Sequence, residues 1–203
     1  HKKEEILRYV NAPDDAYCII TSGSAEAVAN VMFWAKQYVP INGNVFGSEL
    51  DHPIVKLNAA NYELKYSYTL SPNTAIIYIT HASSATGEIY DMSKLNDKIE
   101  TIVPPIKVLD VNNSIGKTPI DMQAMNVDVI LFSTHKLGTK IGTGIMIVRP
   151  TFKKNNNENS LFKPIIAGYQ NHCLRGGTLD DYNILDLKLT YQFDIKLENR
   201  KQV

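Results

Sequence analysis

"DVILFSTHKLGTKIGTGIMIVR", residues 128–149, sets two apolar runs on either side of a polar stretch rich in glycine and threonine. Both runs are short and dominated by Val, Ile, Leu and Met, and both read as buried strands. The cluster Ser133-Thr134-His135-Lys136 therefore falls at a strand end. A lysine there, in a site closed by sheet and helices, is partly desolvated. Its pKa falls and it becomes a nucleophilic amine able to form a Schiff base. The same stretch alone also reads as a loop with an exposed lysine.

Outward from it, short apolar runs alternate with longer amphipathic ones. "AYCII" (16–20), "NVFGS" (44–48), "TAIIYIT" (74–80) and "IKVLDV" (106–111) read as strands, and "ELKYSYT" (63–69) as a weaker one. "SAEAVANVMFWAKQYV" (24–39) places Val28, Val31, Met32, Ala35 and Val39 on one helical face. "DHPIVKLNAANY" (51–62) is a helix with Pro53 in its first turn, and "MSKLNDKIETIV" (92–103) another. "KKNNNENS" (153–160) reads as an exposed loop, and a long helix starts near Asp180. No internal repeat is present. This alternation predicts an α/β fold, a three-layer αβα sandwich around a mainly parallel sheet. Ligands of such sheets bind beyond the carboxyl ends of the strands.

The chain has 203 residues, 44% of them hydrophobic, with 21 basic and 21 acidic side chains. That balance gives no electrostatic case for nucleic acid or an anionic membrane. No apolar run is long enough to span a bilayer. The opening "HKKEEILRYV" is a charged amphipathic piece unlike a signal peptide, and it reads as the middle of a helix, with further residues expected upstream. Cys18 and Cys173 lack metal spacing, and Cys18 reads as a buried thiol. A reducing, cytoplasmic location suits them.

Five polar clusters fall at element ends. "TSGSAEA" (21–27) is a strand–turn–helix junction, either an anion site or an ordinary turn capped by Ser24. It lacks the lysine or glycine pattern of nucleotide-binding loops. His52 lies before a helix start, to stack on a flat ligand or to cap the helix. Asp110 closes an apolar strand, so its carboxylate needs a cationic partner or caps a turn. No His/Asp/Glu set at metal spacing accompanies it. Lys136 is the fourth. Arg175-Gly176-Gly177-Thr178 is the fifth, either an anion cradle or a plain turn.

The succession "TSGSAEA", "DHPIV", "HASSATGEIYD", "LDVNNSIGKTPID", "FSTHKLGTKIGTGIMIVR" and "LRGGTLD" resembles the class V aminotransferase family of pyridoxal-phosphate enzymes, and within it the cysteine desulfurases. The resemblance implies pyridoxal 5'-phosphate as cofactor, with Lys136 holding it as a Schiff base. It implies that Asp110 pairs with the protonated ring nitrogen, which keeps the ring an electron sink. It implies His52 stacked on the ring and Asn113 in place of a glutamine at the phenolic oxygen. Ser24, Ala25, Ser133 and His135 fall around the phosphate, and Thr178 reaches the phosphate of a neighbouring subunit. A homodimer follows from that sharing.

Two departures stand out. The family's Gly-Ala-Thr-Glu turn is Gly23-Ser24-Ala25-Glu26 here, without the threonine hydroxyl. The family's asparagine beside the cofactor is absent from Ser83-Ser84-Ala85-Thr86-Gly87, which leaves Ser84 at that place. The family's persulfide-forming cysteine and carboxylate-binding arginine lie downstream of "RGGT", beyond this chain, and Cys173 does not match that cysteine. The resemblance thus implies that residues 1–203 are the cofactor-binding large domain of a longer protein. Its expected activity is removal of sulfur from L-cysteine, giving L-alanine and enzyme-bound sulfur for iron–sulfur clusters or thio-cofactors, with a sulfur-acceptor protein as partner. The alternatives are an aminotransferase, a selenocysteine lyase, or a degenerate paralogue that serves as a binding scaffold.

Overall fold

The computed structural model describes residues 2–38, 42–92, 95, 101, 103–150, 163–178 and 182–189. The helix expected over 92–103 lies mostly outside them, and the stretch 153–160 wholly so. Of the helix expected from Asp180, the described part is one turn, Tyr182–Leu185.

Seven strands form one sheet: β1 (Tyr17–Thr21), β2 (Asn44–Phe46), β3 (Lys65–Ser67), β4 (Thr74–Thr80), β5 (Ile106–Asp110), β6 (Val129–Ser133) and β7 (Gly144–Val148). Their spatial order is β1-β7-β6-β5-β4-β2-β3. β3, β2, β4, β5 and β6 are mutually parallel. β7 runs antiparallel to both its neighbours, so β1 points the same way as β6. The reason lies in chain length. Residues 134–143 join β6 to β7, and parallel strands need a crossover of about a dozen residues or more. A reversed strand is the available solution, so the lysine-bearing stretch becomes a long hairpin connection.

Side chains along the strands alternate between two cores. Ile77, Ile79, Leu109, Ile130, Phe132, Ile145 and Ile147 face one, which also takes Ile6 and Val10 from α1 (Lys2–Tyr9) and its end. Ile76, Tyr78, Val108, Leu131 and Met146 face the other, under α2 (Ser24–Tyr38) and α3 (Pro53–Asn61). Helix on both faces makes the three-layer sandwich. On α2 the anticipated Val28, Val31, Met32 and Ala35 are buried, and so are Ala27 and Trp34; the anticipated Val39 lies outside the described residues. The wider burial follows from a second cover: Trp34 donates its indole N–H to the Lys163 carbonyl at 3.2 Å, which ties the 163–178 segment over the helix. No described helix is long and apolar enough to cross a membrane. Cys18 is buried, as anticipated, and burial pushes its thiol up to about 12.

The parallel strands end together on one edge. Thr21 and Ser133 both pair in register with Gly144, the first residue of β7. A side chain on Gly144 would run into the Gly23 backbone and Thr21. Glycine there lets the 22–24 turn fold back over the strand ends, toward Ser133.

Candidate active site

Asp110 is the last residue of β5 and only 8% exposed. Its Oδ1 accepts from the Asn112 main-chain N–H at 2.9 Å and the Asn112 amide at 2.8 Å. Its Oδ2 accepts from the Tyr78 hydroxyl at 2.7 Å. Burial pushes the carboxyl above its ordinary range, and these three donors oppose the shift without reversing it. The buried charge is therefore held but not neutralised.

A hydrogen-bonded chain leads from it to α2. Asn112 Oδ1 accepts from the Ser133 N–H at 2.9 Å. Ser133 Oγ accepts from the Ser24 N–H at 3.0 Å and donates to Ser24 Oγ at 3.0 Å. Ser24 opens α2, whose first-turn N–H groups have no intrahelical acceptors and whose dipole favours an anion. Carboxylate and α2 N-terminus are thus linked across three strand ends.

Lys136 stands on a short 3₁₀ turn, Thr134–Leu137, directly after β6. The turn closes on Gly138 at φ +86°, and its foot is fixed by the Thr134 N–H donating to the Thr143 carbonyl at 3.0 Å. Lys136 and His135 are both exposed. The enclosure expected of a lysine at a strand end is not supplied by the described residues. His52 caps α3: the Ile54 N–H donates to His52 Nδ1 at 3.2 Å. That leaves the neutral ring's proton on Nε2.

All the anticipated site residues except Thr178 line one cavity of about 480 Å³: Ser24, Ala25, His52, Ser84, Asp110, Asn113, Ser133, His135 and Lys136. Thr178 is exposed and outside that lining. Asn113 reaches sideways, donating to the Ala82 carbonyl at 3.0 Å. Arg175 is not available as an anion cradle. Its Nε and Nη2 donate to the two Glu26 carboxylate oxygens at 2.7 and 3.1 Å, with side-chain exposures of 10% and 12%. Burial alone would raise the Glu26 carboxyl; hydrogen bonds from Arg175 and Ser22 outweigh it and hold it low. The "RGGT" stretch is therefore a tether, with the Gly176 N–H donating to the Ile166 carbonyl at 2.7 Å.

Sequence reasoning missed three side chains. Asn112 makes the central link, yet nothing in "VNNS" separates it from Asn113. Tyr78 looked like one more strand hydrophobe. Asp51 is buried on the cavity wall, where its carboxylate accepts from Tyr66 at 2.6 Å, Thr80 at 2.6 Å and the Ser48 N–H at 3.0 Å. Gly47 has no room for a side chain against Tyr66 and Asp51, so this latch depends on glycine. Among the described residues, no group of three His, Cys, Asp or Glu side chains is placed to hold a metal ion.

Residues 1–161 match the aminotransferase class-V family. A cysteine desulfurase of Nostoc sp. is 22% identical over 196 residues, covering 87% of this chain and 46% of that protein. The cysteine desulfurase IscS of Vibrio campbellii is 25% identical, over 98% of this chain and 55% of its own length. The chain thus spans about half the length of the curated relatives it matches. Among solved structures, SspA in complex with cysteine superposes with a TM-score of 0.75 at 22% identity, covering 91% of this chain and 57% of SspA. The fold is shared, and with the match over residues 1–161 the chain belongs to the class V aminotransferase family.

Proposed function

We propose that this chain is the cofactor-binding large domain of a pyridoxal-phosphate enzyme that removes sulfur from L-cysteine. One observation carries the reading: a buried, unneutralised carboxylate is hydrogen-bonded through Asn112 and Ser133 to a helix N-terminus, in a cavity that also holds Lys136. The residues fit the cofactor. Among the described residues no salt bridge reaches Asp110, and a protonated ring nitrogen would supply a cation. The α2 N-terminus with Ser24 and Ser133 suits a phosphate. A cavity of about 480 Å³ falls in the range of small-molecule sites. The substrate assignment is supported by the names of the relatives and by the cysteine bound to SspA.

The bound cofactor supplies an electron sink for a carbanion at the substrate α-carbon. Lys136 Nζ would take the covalent role and would then serve as the general base that moves the α-proton. Asp110 would hold the protonated ring nitrogen, His52 at the α3 N-terminus would stand beside the ring, and Ser24 and Ser133 would hold the phosphate. The sulfur nucleophile and the substrate's carboxylate partner come from outside these residues, and so do the sulfur-acceptor protein and the second subunit that Thr178 would serve. Two thiols without disulfide partners, Cys18 and Cys173, suit the cytoplasm.

A second reading draws on Ala25 and Ser84, where the family's hydroxyl and amide are lost: a binding scaffold without catalysis. One experiment decides. Pyridoxal phosphate is added to the purified protein, the visible spectrum is recorded, and the complex is reduced with borohydride and digested for mass spectrometry. A visible band with the label on Lys136 supports the enzyme, with conversion of cysteine to alanine as the next assay. No band and an unlabelled Lys136 would overturn it in favour of the scaffold.

A further inference from the structure

Asp110 carries more protein hydrogen bonds than its place at a strand end requires. Asn112 saturates Oδ1 with two donors, while Oδ2 receives a single one, from Tyr78. Tyr78 is wholly buried in β4. A phenol so placed adds nothing to the apolar core that phenylalanine would not. Among the described residues its hydroxyl donates to Oδ2, the oxygen with an acceptor position left for a ligand.

We propose that Tyr78 is a positioning residue that sets the basicity of Asp110, and thereby how tightly Asp110 holds the protonated nitrogen of a heterocyclic cation in the cavity. The inference rests on reading that cation as the pyridoxal-phosphate ring. A donor to a carboxylate stabilises its charged form and weakens it as a base. Burial and the neighbouring carboxylate push the Tyr78 phenol well above its ordinary range, so it keeps its proton and only donates. The other ionisable groups toward Asp110 are accounted for. Asp51, whose charge opposes Asp110's, is tied to Tyr66, Thr80 and Ser48. His52, His135 and Lys136 lie on the same cavity wall. His81 gives Asp110 only its main-chain N–H, to the carbonyl at 2.9 Å.

The test has two arms of opposite sign. Protein labelled with ¹³C-aspartate is titrated without cofactor, the Asp110 carboxyl signal being assigned by its loss in Asp110→Asn. Tyr78→Phe removes the donor at nearly constant shape, and the Asp110 midpoint rises by about one pH unit. 3-Fluorotyrosine at position 78 makes a stronger donor of the same outline and lowers the midpoint; this arm stands alone if Tyr78→Phe fails to fold. With ¹⁵N-labelled pyridoxal phosphate bound, the ring nitrogen of Tyr78→Phe stays protonated to higher pH than in the unaltered protein. An Asp110 midpoint unmoved by either variant overturns the proposal. Midpoints that move in a protein taking up no pyridoxal phosphate uphold Tyr78's control of Asp110 and overturn the cofactor reading alone.

Discussion

Asp110 sits where a carboxylate is costly. It is buried at a strand end, three donors leave its charge uncompensated, and its proton affinity is raised by burial. The sign follows from linkage. A carboxyl with a raised folded value favours folding at low pH, and that contribution is lost as pH rises from about 4 through the folded value. Over a Tyr78→Phe parent, where no buried hydroxyl is left without its acceptor, Asp110→Asn removes the loss while its Oδ1 still accepts from Asn112. Thermal melts of cofactor-free protein at pH 7.5 should place the variant about 2–4 °C above the parent for a gain of about 1 kcal/mol, with the difference shrinking toward pH 4. The same variant should lose the visible cofactor band. A variant that melts lower at every pH would mean that Asp110 is a structural residue. Asn112 is the opposite case. Asn112→Ala strips the side-chain hydrogen bond from Asp110, keeps the main-chain one, and leaves the Ser133 N–H without its acceptor. A cost of about 1–3 kcal/mol in urea unfolding is expected, along with weaker uptake of pyridoxal phosphate.

At the scale of elements, the strand ends decide what can be assembled. Gly144 begins β7 between Thr21 and Ser133. Gly144→Ala forces a methyl group into the Gly23 backbone. An overpacking cost of about 1–3 kcal/mol is expected in urea unfolding. The more telling result is a several-fold drop in affinity for inorganic phosphate or pyridoxal phosphate, because the 22–24 turn no longer meets Ser133. Unchanged anion affinity in a folded variant would detach that turn from the site. The strands and α2 were legible in the sequence because their burial patterns are periodic: α2 repeats every three to four residues, and 74–80 is continuously apolar. Lys136 and Asp110 stood out as polar residues at or just beyond the ends of apolar runs, each with a plain loop or turn reading beside it, and the order of the motifs is what singled them out. Other features were hidden for physical reasons. The reversal of β7 is written in loop length, not in composition. Asn112 and Asn113 are chemically identical and differ only in direction. Tyr78's hydroxyl matters through a neighbour 32 residues away. Arg175 next to two glycines looked like an anion cradle, because its carboxylate partner stands 149 residues earlier.

Across the whole molecule, that Arg175–Glu26 pair fastens the 163–178 segment to the start of α2, and so to the 22–24 turn. Ser22 shares the arrangement through its N–H, which donates to Glu26 at 2.8 Å. The pair is nearly buried, so removing one partner strands the other: Arg175→Met should cost about 3 kcal/mol. Hydrogen exchange should then quicken in residues 163–178 and in the first turn of α2, and spare β4 and β5. The pH dependence has its own sign. Glu26 is held below its ordinary value, so the pair's contribution is present above about pH 4.5 and is lost as pH falls through the folded value. The parent protein should therefore lose stability between about pH 5 and pH 3 more steeply than Arg175→Met, and the two melting curves should converge in acid. Parallel curves would show that the pair is not what couples the segment to the helix. The double variant Glu26→Leu with Arg175→Met removes both charges together. It should recover much of the lost stability without restoring the acid-sensitive limb, because a well-packed apolar pair replaces a buried ion pair at little net cost.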